Sequence, residues 1–142
     1  EIPADAYIPD SYISDPRYKM ELYRRFSEME YAQRDDLLDE IIDRFGNPPA
    51  EVEMLWRVAS LKGLCRLLQV RGINVRQGVV RITFGQHAQI SPEKLLKLLD
   101  EHKRTMSFKN GTEPQLAYRM GNLREKPLAW LERTLPALAL GE

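Results

Sequence analysis

The stretch from Leu37 to Pro49 leaves the backbone little choice. Leu37, Leu38, Ile41, Ile42 and Phe45 recur at i, i+1, i+4, i+5 and i+8, the spacing of one apolar helical stripe, and Gly46-Asn47-Pro48-Pro49 follows at once. Glycine takes the left-handed conformation that closes a helix, and proline lacks the N–H that would continue it. A helix must therefore stop at Phe45, and Pro49 can open another. The front of the chain is thus bound to be short helices meeting at sharp turns.

The flanks read the same way. Asp15-Pro16 pairs an N-cap with a proline at the first helical position and predicts a helix over about 16–29, with Met20, Tyr23, Phe26 and Met29 or Glu30 as its stripe and Arg24, Arg25 and Glu28 outside it. Before it, residues 1–14 carry Pro3 and Pro9 with Tyr7, Ile8, Tyr12 and Ile13, the pattern of an extended arm anchored by aromatic and aliphatic side chains. After it, a long helix from Pro49 to about Leu68 carries Val52, Leu55, Trp56, Ala59, Cys65, Leu67 and Leu68, and Arg71-Gly72 ends it. Gly63 inside this helix costs about 1 kcal/mol against alanine, which points to close approach by another element.

The hydrophobic period then changes. Ile73-Asn74-Val75 and Val80-Arg81-Ile82-Thr83-Phe84 alternate around Gln77-Gly78, as a half-buried hairpin does. Ser91-Pro92 caps a helix bearing Leu95, Leu96, Leu98 and Leu99. Thr105–Lys109 and Glu113–Met120 flank Asn110-Gly111, a type I′ turn pair, and Pro127 opens a closing helix with Leu128, Trp130, Leu131 and Leu135, ended by Pro136 and Gly141. The expected fold is α+β: an arm (1–14), a helical part (15–71), and a part of antiparallel hairpins with two further helices packed on the sheet (72–142).

Chemistry is scarce. The 142 residues contain one cysteine and two histidines, too few for a disulfide framework or a thiolate zinc site, and no glycine-rich phosphate loop. Cys65, among leucines, reads as a small buried hydrophobe, and His87 and His102 as solvated side chains without a carboxylate partner. No catalytic residue, cofactor site or metal site is expected. No apolar run approaches the roughly 18 residues of a membrane span, and the cysteine usage suits a reducing cytoplasm. The first residue is Glu1 and the start reads as a linker, as in a domain cut from a longer chain.

Lys and Arg total 21, as do Asp and Glu, so the net charge is zero. That zero averages two unlike halves: residues 1–60 hold 14 acidic and 7 basic side chains, and residues 61–142 reverse the figures. The imbalance fits either charge compensation within the domain or an acidic face for a basic partner. Part of the acid sits on the Leu37–Phe45 helix, where Asp36, Glu40 and Asp43 lie almost opposite the apolar stripe and Arg44 stands beside Glu40. The basic residues are scattered over several elements and show no recognition-helix pattern.

Glu40-Ile41-Ile42-Asp43-Arg44-Phe45-Gly46-Asn47-Pro48-Pro49 resembles the E-[LI]-[LI]-D-R-F-G-x-x-P signature of the C-terminal domain of the bacterial transcription-repair coupling factors, the Mfd family. The arm Tyr7-Ile8-Pro9-Asp10 with Tyr12-Ile13, the run Lys19-Met20-Glu21-Leu22-Tyr23-Arg24-Arg25, and the helix after Pro49 agree in order and spacing. The resemblance is most specific over residues 5–70; Lys19 stands where many members have arginine.

The resemblance implies a non-catalytic, autoinhibitory domain at the end of an ATP-driven DNA translocase that displaces stalled RNA polymerase and recruits UvrA for nucleotide-excision repair. It implies docking on the UvrB-like N-terminal module of the same protein, masking UvrA binding, with ATP and magnesium held only by the parent's motor domains and the isolated domain monomeric. Glu40, Asp43 and Arg44 match the docking positions, with Asp36 and Asp39 at the periphery. Two other readings stay open. Glu40 and Arg44 could be only an exposed i,i+4 pair, and the basic half could make this an accessory duplex-DNA-binding domain beside the motor.

Overall fold

The computed structural model describes residues 5–121 and 124–141. Two compact units result, residues 1–63 and 64–142, dividing inside the longest helix.

The first unit is built from α1 (Pro16–Glu28), a single 3-10 turn (Tyr31–Gln33), α2 (Arg34–Phe45) and the first turns of α3 (Ala50–Leu68). The Asp15 carboxylate caps α1 by accepting from the Arg17 N–H at 2.9 Å, with Pro16 at the first helical position. Gly46, at φ +87°, ends α2 where the sequence requires it. The core gathers Leu22, Phe26 and Met29 from the first helical segment, Leu37 and Ile41 from α2, and Val52, Leu55 and Ala59 from α3. This corrects the expected stripe of α1: Met20 is 72% exposed and Tyr23 also faces solvent, because Leu22 and Phe26, one turn apart, take the inner face.

The arm folds back onto this unit. Ile8 and Ile13 are buried in the same core, the Ile8 N–H donates to the Tyr23 hydroxyl (2.9 Å), and the Tyr12 hydroxyl donates to the Gly46 carbonyl (2.6 Å). Tyr23 thus serves the arm instead of the core. Residues 1–4, including Pro3, lie outside the described residues. Trp56 is half-buried and its indole N–H donates to the Arg34 carbonyl at 2.7 Å. The inference from Gly63 holds: a Cβ there would stand 3.1 Å from the Tyr31 nitrogen and 3.3 Å from the Met29 oxygen.

In the second unit, α3 stops at Leu68 as expected, where Gln69 adopts φ +59° and its carbonyl accepts from the Gly85 N–H. Leu67 is 61% exposed and Cys65 half-buried, while Leu64 and Leu68 are buried, so the stripe here is Leu64/Leu68. Burial pushes the Cys65 thiol up to about 11, which keeps it protonated and unreactive. Strands β1 (Val70–Arg76), β2 (Val79–Phe84), β3 (Met106–Lys109) and β4 (Gln115–Arg119) form one antiparallel sheet in the order β1-β2-β4-β3. The β1–β2 hairpin turns at Gln77-Gly78, φ +52° and +76°.

The second hairpin departs from a two-residue turn: Lys109 pairs with Gln115, leaving Asn110–Pro114 as a five-residue loop. Pro114 has no N–H for the ladder, and its carbonyl accepts from Phe84 instead. Helices α4 (Pro92–Glu101), capped by Ser91, and α5 (Pro127–Leu138) complete the unit. The stripe of α4 is looser than expected, with Leu96 66% exposed and none of its residues fully buried. Pro136 lies within the last turns of α5 and does not end it. Tyr118 on β4 stacks on Trp130 of α5 with centroids 4.7 Å apart, and His102 lies half-buried 5.2 Å from Tyr118 instead of in solvent. Both helices therefore cover one face of the sheet.

Candidate functional site

At about 100° per residue, Asp36, Asp39, Glu40 and Asp43 make an acidic i, i+3, i+4, i+7 row along α2. The row is not uniform. Glu40 and Arg44 stand at its border beside buried Leu37 and Ile41, whereas Asp39 and Asp43 lie on the far side.

The border residues are engaged at home. Arg25 of α1 meets Glu40 with both guanidinium nitrogens, Nη1 on Oε2 and Nη2 on Oε1 at 3.0 Å. Arg44 reaches Glu21 of α1 at 3.4 Å and Glu40 at 3.8 Å. The Arg44 guanidinium also lies 4.9 Å from the Phe45 ring centre and 5.6 Å from that of Tyr18, within cation–π range. Two i,i+4 pairs of the same order, Glu21/Arg25 on α1 and Glu40/Arg44 on α2, thus interlock because the two helices run antiparallel.

Sequence reasoning placed Arg25 only outside the apolar stripe and gave Glu21 no role. The signal that could have found them is the same Glu-x-x-x-Arg spacing repeated on two helices joined by a short turn, which an antiparallel pairing makes complementary. Asp36, Asp39 and Asp43 are exposed and form no ion pair or hydrogen bond with the described residues. A groove of about 500 Å³ runs beside the pair between α1 and α2, floored by Met29 and Leu37 and edged by Arg24, Glu28, Asp36 and Glu40. Among the described residues no group of three or more His, Cys, Asp or Glu is placed to hold a metal, and no helix is long and apolar enough to cross a membrane.

The hydrogen bonds from Arg25 hold the Glu40 carboxyl below its usual range, against a smaller opposing effect of burial. A carboxylate with a lowered folded-state pKa stabilises the fold above its unfolded value and loses that contribution as pH falls through the folded one. The side chains are 36% and 41% exposed, so solvent screening limits the pair to about 0.5 kcal/mol. Glu40→Gln is expected to lower urea-unfolding stability by that amount at neutral pH, with the gap closing below the carboxylate range. A gap that persists undiminished at pH 2 contradicts the assignment.

A short helical unit followed by a four-stranded antiparallel sheet under two helices defines an α+β domain without a catalytic constellation among the described residues. It is similar to a solved crystal structure of the C-terminal domain of transcription-repair coupling factor, with TM-score 0.74 and 26% identity, covering 94% of this chain and 84% of that one. The TRCF domain family matches residues 2–95. The transcription-repair-coupling factor of Bacillus subtilis is 39% identical over 111 residues, 76% of this chain, and that of Myxococcus xanthus 34% over 103 residues, 72% of this chain. The chain belongs to the transcription-repair coupling factor family, as its C-terminal domain. It spans only 9% of the length of these curated relatives.

Proposed function

We propose that this chain is the non-catalytic regulatory domain of a transcription-repair coupling factor, docking through Asp43, Glu40 and Arg44, with Asp36 and Asp39 at the rim, on the UvrB-like N-terminal module of the same protein. In the docked state it masks the UvrA-binding surface and restrains the ATP-dependent DNA translocase. Engagement of stalled RNA polymerase opens the lock. ATP and magnesium belong to the parent's motor, the setting is the cytoplasm, and the isolated domain is a monomer.

The observation that carries this reading is the division of the acidic row. Its inner members are clamped by Arg25 and Glu21, which orients α2 against α1, while the outer carboxylates Asp39 and Asp43 stand exposed and unpaired on that braced helix. A preorganised acidic edge is what a basic partner can meet without ordering cost. A polar contact of this kind also opens more readily than an apolar one.

Asp43 is the decisive position, because its exposure separates docking from folding. Asp43→Arg in the full-length parent is expected to remove a charge pair worth about 2 kcal/mol if desolvated, shifting the closed state about thirtyfold toward open. Basal ATP hydrolysis and UvrA binding should both rise. Unchanged hydrolysis together with unchanged UvrA affinity refutes the lock.

A further inference from the structure

Four cations, one from each strand, share one surface in the second unit. On β2, Val80, Ile82 and Phe84 are buried beneath the helices, so Val79, Arg81 and Thr83 take the opposite face. The register extends this outward. Arg81 pairs with Asn74 on β1 and Ala117 on β4, Val79 pairs with Arg76 and Arg119, and Thr83 with Gln115, which in turn pairs with Lys109. Arg76, Arg81, Arg119 and Lys109 are all exposed there, and none of the strand residues on this face is acidic.

Strands about 4.8 Å apart and same-face positions about 6.8 Å apart set Arg76, Arg81 and Arg119 at the corners of a triangle with sides of about 8–10 Å. The Arg119 side chain is held by donating to the Arg104 carbonyl at 3.1 Å. Glu113, in the β3–β4 loop, is occupied by Arg71 at 3.2 Å. Beside Lys109, Thr83 and Gln115 the face dips into a concavity of about 360 Å³ closed by that loop.

We infer that this open sheet face is a binding surface for the phosphate backbone of duplex DNA, read without regard to sequence. The aromatic rings of the sheet, Phe84, Phe108 and Tyr118, lie on the helix-covered face, so the open face offers no platform for stacking unpaired bases. It also lacks the desolvated apolar anchor that a protein partner would need at its centre, where Ala117 and Arg81 sit. What remains is a spaced set of guanidinium and ammonium groups, which is sufficient for phosphates. The surface belongs to the second unit, whereas the acidic row of α2 belongs to the first.

The test is fluorescence anisotropy of the 142-residue chain with a labelled 25-bp duplex. Four phosphate contacts predict that affinity falls about a hundredfold between 50 and 200 mM salt. Arg76→Gln/Arg81→Gln/Arg119→Gln should abolish binding at 50 mM, with near-ultraviolet circular dichroism of the Trp130–Tyr118 stack reporting that the unit stays folded. Lys97→Gln, on α4 across the sheet, should leave it intact. The assignment is overturned by no binding at 50 mM salt, by equal loss in the Lys97 variant, by undiminished binding in the folded triple variant, by tighter binding of the matching single strand, or by polyglutamate binding with equal affinity to the same arginines.

Discussion

Gly63→Val is expected to destabilise the chain by about 3 kcal/mol, enough to lower the folded-to-unfolded ratio by more than a hundredfold. The groups in the way are backbone atoms, the Tyr31 nitrogen and the Met29 oxygen, 3.1 and 3.3 Å from the site of a Cβ. Backbone cannot swing aside as a side-chain tip can. The segment they belong to links α1 to α2 through the 3-10 turn, and Arg34 at its far end accepts the Trp56 indole hydrogen bond. Alanine is a milder case, since its gain of about 1 kcal/mol in helix propensity opposes the crowding. Urea titration followed by tryptophan fluorescence should show wild type and alanine close together and valine far below. A valine variant as stable as wild type would mean that α3 and the linker are free to separate.

Ile41→Ala should cost about 3–4 kcal/mol, whereas Ile42→Ala next to it should cost under about 1. Ile41 is 2% exposed within the core shared by the arm and three helices, and Ile42 is 36% exposed. Truncating Ile41 leaves a cavity beneath the turn that carries Glu40 and Arg44, so the variant should also loosen the Arg25–Glu40 contact. Equal losses at the two positions, measured by the same titration, would contradict the orientation of α2 and with it the placement of the acidic row.

This pair shows where sequence reasoning on α2 ran out. Helix, stop and acidic side were legible because each follows from local backbone chemistry: a 3.6-residue period, a glycine with φ +87°, and prolines that cannot donate. The same periodicity left Ile41 and Ile42 equivalent, since both belong to the stripe of Leu37, Leu38, Ile41, Ile42 and Phe45. Only the angle at which α1 lies on α2 separates them. That angle likewise turned Glu40 and Arg44 from an i,i+4 pair into a four-residue lattice with Arg25 and Glu21, and it left Asp43 as the residue on which docking can be tested without disturbing the fold.

In α1, Met20 and Tyr23 had the right spacing for a core stripe and are not in it. Two stripes compete on that helix, and Leu22 and Phe26 win because they face Leu37 and Ile41, a choice no local rule makes. The turn at Asn110-Gly111 was overridden for a local reason instead, by Pro114, whose missing N–H ends the ladder at Lys109 and Gln115.

The sequence by itself determined the order of elements, the caps at Asp15 and Ser91, the forced break at Gly46-Asn47-Pro48-Pro49, the close approach at Gly63 and the family to which the chain belongs. All of these are written in neighbours along the chain, where steric and hydrogen-bonding limits act over a few residues. Tertiary structure alone decided which charges meet. The strand order β1-β2-β4-β3 carries Arg119 to within one strand of Arg81, 38 positions away by number, and gathers scattered cations on one face. Pairing between strands and packing between helices depend on contacts distant in sequence, so the electrostatic pattern of the surface emerges only when the chain has folded.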